Sequence, residues 1–206
     1  MASSRFEELE KRIKELRHHF LPVEFDPTGL YDENVYELTR AFRVLTHAEF
    51  ESFIEDRVIE VVDDAVSGWK SSGVISTSLL AIMAHRESTS PIPGSLTEVV
   101  SKRGKYSSLL EARIQTARSD LHRYARNQNH GIKEKNLLRM LLPIGFQETE
   151  IDSGWLSATE TWATARGDTA HKTSKLQVQP NPQNELKTVT VVLEGFREID
   201  AQMEFK

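Results

Sequence analysis

Between residues 35 and 65 the apolar side chains return every three or four positions: Val35, Leu38, Phe42, Leu45, Phe53 or Ile54, Val58, Val61 or Val62, and Ala65. That is the period of a helix, and no breaker interrupts it before Ser67-Gly68. Starting near Asp32, a helix of roughly 35 residues would run about 50 Å, long enough that a kink is to be expected in a globular core. An element of this length constrains everything else, because its apolar stripe can be covered only by other elements laid along it.

The rest of the chain carries the same period. Phe6, Leu9, Ile13, Leu16 and Phe20 follow Ser3-Ser4 and Glu7-Glu8, an N-cap signature of the capping-box type, and the run stops before Pro22. After a loop at 68–73, a short helix fits 74–85. A longer one fits 106–128 (Leu109, Leu110, Ile114, Ala117, Leu121, Tyr124) and stops at Asn129-His130-Gly131. A compact helix over 132–142 is closed by Pro143 and Gly145, and Asp152-Ser153 caps the next. Leu186, Val189, Leu193, Phe196, Ile199 and Met203 define the last helix, despite the β-branched content of 188–192. Residues 87–104, with Pro91 and Pro93, read as a flexible excursion, and 172–184, with Pro180 and Pro182, as a loop. Strand signals are nearly absent. The expected fold is all-α: one domain over 1–206, a helical bundle with a long second helix and additional short helices. Residues 1–21 are either a layer of that bundle or an appendage to it.

A hydrophobic fraction of 38% and a charged fraction of 28% suit a globular chain rather than a disordered one. No apolar run approaches the roughly 18 residues of a membrane span. The N-terminus is charged and reads as carrying no signal peptide, so a cytoplasmic location is expected. The chain has no cysteine, which excludes disulfides, thiolate zinc sites and a cysteine nucleophile. The net charge of −5 argues against a general nucleic-acid coat, but it is unevenly spread. Residues 102–139 carry 10 Lys/Arg against 3 Asp/Glu inside an otherwise acidic chain. That segment is either a local phosphate-binding surface or a solvated helix face balancing acidic neighbours.

The chemistry concentrates in the late helix. Trp155, Thr159, Trp162 and Arg166 fall at steps of +4, +3 and +4, so a charge ends an aromatic stripe. His171 lies five residues on, about 140° further round an ideal helix, so one helix cannot aim both side chains at the same atom. Arginine offers a permanent, forked charge for phosphate oxygens, and histidine moves protons near neutral pH. The pair suits metal-free RNA cleavage, in which the 2′-hydroxyl attacks its own phosphodiester. By itself the spacing fits equally a helix-terminal histidine beside an ion-paired arginine. Gly-x-Ser-x-Gly, Gly-x4-Gly-Lys, Gly-x-Gly-x-x-Gly and His-Glu-x-x-His patterns are all absent. His47, Glu51 and Glu55 share a helix face, and His47 with Glu51 has metal-ligand spacing, but no second ligand pair accompanies them. No metal and no cofactor is therefore expected.

Arg166-Gly-Asp-Thr-Ala-His171 in such a bundle resembles the R-x4-6-H motif of HEPN domains. Leu45-Thr-His-Ala-Glu-Phe-Glu-Ser-Phe-Ile-Glu-Asp56 resembles the second-helix signature of the RiboL-PSP-HEPN subgroup. His130-Gly-Ile-Lys133, Asn136-Leu-Leu and Ile144-Gly-Phe146 are similar to its middle segment, and the order agrees. The resemblance implies a metal-independent endoribonuclease, a toxin or antiviral defence effector. It would act as a homodimer whose two motifs face each other and leave a 2′,3′-cyclic phosphate. It also implies Arg166 and His171 as the catalytic pair. Supporting groups would be Asp168, Thr169, Glu51 and His47, with Lys172, Arg123 and Arg126 binding RNA. Gly167 departs from the polar residue that many members carry after the arginine. The alternative is a non-catalytic HEPN module that binds a partner protein or a nucleotide in a defence or toxin–antitoxin complex.

Overall fold

The computed structural model describes residues 2–85, 103–171 and 179–206, with backbone alone at 103–108 and 167–171. Its helices are α1 (Ser4–Phe20), α2 (Glu33–Ser72), α3 (Thr77–Ala84), α4 (Arg103–Asn127), α5 (Glu134–Leu141), α6 (Ser153–His171) and α7 (Pro182–Met203). Short 3-10 turns cover Leu142–Ile144 and Glu148–Glu150. Among the described residues there is no strand, and no helix is long and apolar enough to cross a membrane. The expected all-α bundle with a long second helix is what forms.

α2 runs unbroken for 40 residues, about 60 Å at 1.5 Å per residue. Its first turn is capped by the Asp32 carboxylate, which accepts from the Val35 amide at 2.9 Å. The loop expected at 68–73 is instead the last turn of α2. Gly68 sits in the helix with open space beside it, while Trp69 packs against the core and carries the helix onward. The stop comes at Gly73, whose φ of 73° is the left-handed conformation that ends helices, with its amide on the Trp69 carbonyl at 2.9 Å.

Every other helix buries a face against α2 or against what already lies on it. α1 contributes Phe6, Leu9, Ile13 and Leu16 to the core. Phe42, Phe50, Ile54 and Val58 of α2 are fully buried. Phe50 stacks on Phe196 of α7 at 5.1 Å between ring centroids, and Phe53 and Trp155 meet the same ring edge-on. The N-terminus of α1 is tied to this assembly by a buried carboxylate. Asp200 accepts from the Ser3 amide and hydroxyl and from Arg57 Nε, each at 2.7 Å. The capping box expected from Ser3-Ser4 and Glu7-Glu8 is thus only half local. Ser3 Oγ accepts from the Phe6 amide, and Asp200 of α7 supplies the carboxylate in place of a first-turn glutamate.

α7 begins earlier than the spacing of its apolar residues suggests. Asn181 caps it, accepting from the Gln183 and Asn184 amides, and Pro182 takes the first helical position, where its missing N–H costs nothing. Of the loop expected at 172–184, residues 182–184 belong to α7, and 172–178 lie outside the described residues. Of the excursion expected at 87–104, Arg103 and Gly104 already belong to α4, and 87–102 lies outside the described residues. Within α7, Gly195 lies flat against the indole of Trp155, whose Nε1 donates to the Val192 carbonyl at 3.1 Å. Any Cβ at Gly195 would overlap that indole. Gly195→Ala is expected to lower the unfolding free energy by about 2–3 kcal/mol, read as a shifted urea midpoint with an unchanged slope. A wild-type midpoint would mean that Trp155 is not held there.

Candidate functional site

Three polar residues interrupt the apolar surface of α2 on one face: His47, Glu51 and Glu55. They are walled on one side by the turn between α4 and α5. Asn129 in that turn is buried and bonded at both ends of its amide. Its Nδ2 donates to Glu55 Oε1 at 2.8 Å, and its Oδ1 accepts from Asn136 Nδ2 at 2.8 Å. Gly131, at φ 131°, makes a backbone hydrogen bond to Glu51, and a Cβ added to it would come into ordinary contact with the His47 ring at 3.6 Å. A side chain there would be strained by the backbone conformation itself.

The other wall is α6. The Asp152 carboxylate caps it by accepting from the Trp155 amide at 2.6 Å, which sets the face carrying Trp155, Thr159 and Trp162 inward. Trp162 lies 5.8 Å from the His47 ring and edge-on to Phe50 at 5.7 Å. Its Nε1 donates to Glu185 at 2.6 Å, and Glu185 is gripped by the Nε and Nη2 of Arg43. One turn beyond Trp162 comes Arg166, partly buried, with its charge acting on both Glu51 and His47. Among the described residues Arg166 Nε is buried and has no hydrogen-bond partner.

Burial dominates the electrostatics. It pushes His47 down to about 4, and the Arg166 charge adds to that, so the imidazole is neutral at pH 7. Its Nδ1 lies 3.7 Å from Glu51, too far for a hydrogen bond, and it makes none. Glu51 is pushed up by burial and by Glu55, while Arg166, the Gly131 amide and His130 pull it back. Glu55 is likewise pushed up by burial, against the bond from Asn129 and the charge of Arg126. Glu51 is thus a carboxylate on which the Arg166 charge acts. Among the described residues no three acids or histidines gather as a metal site.

The family model described as RiboL-PSP-HEPN matches residues 7–204. The chain belongs to the RiboL-PSP-HEPN family. HEPN domains are in general related to ribonucleases. No curated protein and no solved structure matches the chain.

In this HEPN fold Arg166 comes together with Glu51 and His47, which are far from it in sequence. His171 closes α6 as backbone, and its side chain lies outside the described residues, as do those of Asp168 and Thr169 and the whole of Lys172. The two arginines expected to bind RNA are ion-paired. Arg126 meets Asp56 at 2.6 Å and Arg123 meets Asp120 at 2.8 Å. Arg118 and His122 both engage Asp63 of α2. Two residues of the site had no signal of this kind in the sequence. Asn129 reads only as a helix stop, and Glu185 joins Trp162 and Arg43 across separations that no local pattern encodes.

The depressed His47 gives the HEPN fold a pH dependence of definite sign. The unfolded imidazole takes a proton near pH 6.5 and the folded one only near 4, so His47 contributes full stability above about pH 6.5 and loses it as pH falls. Denaturant unfolding from pH 7 to 4 should cost wild type about 3 kcal/mol more than His47→Gln. The raised carboxylates Glu51 and Glu55 act in the opposite direction and are common to both proteins. Parallel pH curves would show that His47 is not buried neutral.

Proposed function

We propose that this HEPN protein is a metal-independent endoribonuclease, a toxin or antiviral effector that cuts RNA at a site shared by two copies of the chain. The observation that carries the reading is Arg166. It is partly buried, it ends an aromatic stripe, and it faces a half-buried glutamate and a neutral imidazole, with an Nε that has no partner among the described residues. Buried Arg40 also leaves its Nε unpartnered, but its Nη1 is bonded to Glu33 and Glu37. An open donor of permanent charge suits an anion that arrives as phosphate.

The chemistry then follows from residue types. His171 takes the proton of the ribose 2′-hydroxyl, and the 2′-oxygen forms a bond to phosphorus. Arg166 stabilises the charge that gathers on the phosphoryl oxygens. The bond from phosphorus to the 5′-oxygen breaks, and that oxygen takes a proton from the histidine of the second copy. The products are a 2′,3′-cyclic phosphate and a 5′-hydroxyl. Glu51 orients Arg166 and tempers its charge, and His47 fills the space behind it as a neutral ring. Asp168 and Thr169, next in sequence, supply the polar groups that Gly167 does not, and Lys172 adds a positive charge directly after the motif. Sharing the site between two copies answers the angular mismatch between Arg166 and His171 on one helix.

A second reading, a HEPN module that binds a partner protein or nucleotide without cutting, is favoured by Gly167 and by the ion-paired arginines of α4. The two separate on one experiment. Wild type should cleave RNA in excess EDTA, and Arg166→Ala and His171→Ala should each lose at least about 100-fold in rate while remaining folded dimers by circular dichroism and sedimentation. Variants that cut like wild type would refute the ribonuclease. A wild-type protein that cuts nothing yet retains a partner protein on purification would support the second reading.

A further inference from the structure

Trp162, whose ring lies 5.8 Å from that of His47, is also a wall of a cavity of about 590 Å³ between α6 and α7. That volume falls within the roughly 300–1,000 Å³ of pockets that hold small organic groups. One side of the cavity is polar and rigid. Buried Glu185 accepts from Trp162 Nε1 at 2.6 Å and from the Nε and Nη2 of Arg43, which also lines the cavity. Arg43 Nη1 carries no bond among the described residues and remains a donor. On α7 the exposed side-chain amide of Asn184 is likewise unbonded among the described residues. Thr161 and Thr188 line the same space and donate their hydroxyl protons to the Ser157 and Asn184 carbonyls, so their oxygens are left to accept. Apart from Trp162, the α6 residues along the cavity are no larger than threonine, which leaves room for a flat ring against that wall. Ala165 is one of them, and the next residue is Arg166, about 3.8 Å on at Cα.

We propose that this cavity takes one unstacked base of the RNA strand whose phosphate Arg166 holds, and that Arg43 and Asn184 bond the edge of that base. This rests on the ribonuclease reading and gives it a base-selecting subsite. A cavity for an apolar guest would not set a guanidinium, an amide and two hydroxyl oxygens along its sides. A cavity for a free anion would not balance its arginine with a buried glutamate. Here the Arg43 charge is neutralised by Glu185, and what remains are directed donors and acceptors around a space with one flat wall. The matching ligand is uncharged and planar, with donors and acceptors along its edge, which describes a nucleobase. Sequence is read in RNA largely from bases freed of stacking, whose edges bond to side chains. Base and phosphate are tied through one ribose, so a base seated beside Ala165 brings a neighbouring phosphate to Arg166.

The test uses the full chain, 2′-O-methyl single strands that cannot be cut, each with one abasic residue at a different position, and the matching cleavable strand. In wild type one position should stand out, its missing base weakening binding roughly tenfold. Asn184→Ala removes an amide, and Ser157→Leu fills the cavity from an exposed position on α6. Each should weaken binding of the intact strand by a similar factor and lose nothing further at that position, the non-additivity of groups in contact. Asn184→Ala should also level the affinities of strands that differ only in the base there. Losses that simply add would overturn the proposal. So would a Ser157→Leu protein whose sedimentation shows a changed oligomeric state, since the cavity would then be a contact between copies. If wild type cuts RNA but no position stands out, the subsite fails alone. If one position stands out but nothing is cut, the ribonuclease reading fails and the subsite stands. If wild type binds no RNA, both fail.

Discussion

The apolar surface that α2 presents along some 60 Å has to be covered, and the placement of most other helices follows from that need. α1 lies along it, α7 packs the Phe196 ring into its centre, and α3, α4 and α6 close the remaining sides. The helix can be this long because it is stopped late. Its apolar contacts continue to Trp69, and only at Gly73 does a left-handed residue end the run. Residues one turn apart on such a spine keep a fixed spacing.

The candidate site exploits that rigidity. His47, Glu51 and Glu55 stand in register on α2 because the helix puts them there, and the walls are then brought to them. Each wall is held by a buried polar bond rather than by apolar packing alone. Asn129 anchors the α4–α5 turn to Glu55, and Glu185 anchors Trp162 of α6 while itself held by Arg43 of α2. Buried polar groups of this kind are costly when half satisfied, and here the holding groups are satisfied while the groups they frame are not. Arg166 Nε and His47 Nδ1 are two of the four buried polar atoms without partners among the described residues, the others being Thr159 Oγ1 on α6 and Arg40 Nε. That contrast between a satisfied frame and an unsatisfied interior is what distinguishes the cluster from the surface ion pairs elsewhere on the bundle, such as Arg12 with Glu49.

The basic middle of the chain shows where charge counting stops being useful. Its excess of positive charge is real, but the fold lays α4 beside the acidic flank of α2. Arg118 and Arg126 are drawn to Asp63 and Asp56, and Arg123 bends back to Asp120 on its own helix. Much of the apparent phosphate-binding stripe thus serves to join two helices of opposite charge. Surface pairs of this sort are worth little individually; the rotation of α4 is set by its buried Ile114, Ala117, Leu121 and Ala125, and it delivers the turn carrying Asn129, His130 and Gly131 to Glu51.

Periodicity alone was enough for the helices, because burying one face of each is a local requirement written in the 3–4 spacing of Phe6, Leu9 and Ile13 or of Val189, Phe196 and Met203. Segment order and the Arg166–His171 spacing were likewise enough for the family. Helix ends were less legible at 68–73 and at Pro182, because a stop depends on whether the next side chain finds something to pack against, as Trp69 does. The site was legible only in part. His47, Glu51 and Glu55 share a face by spacing, but their approach to Arg166, the neutrality of His47 and the grip of Glu185 on Trp162 join positions more than 100 residues apart in several cases. Those are consequences of burial, which fixes which charges lose water and which keep partners, and burial is decided only when the helices have packed.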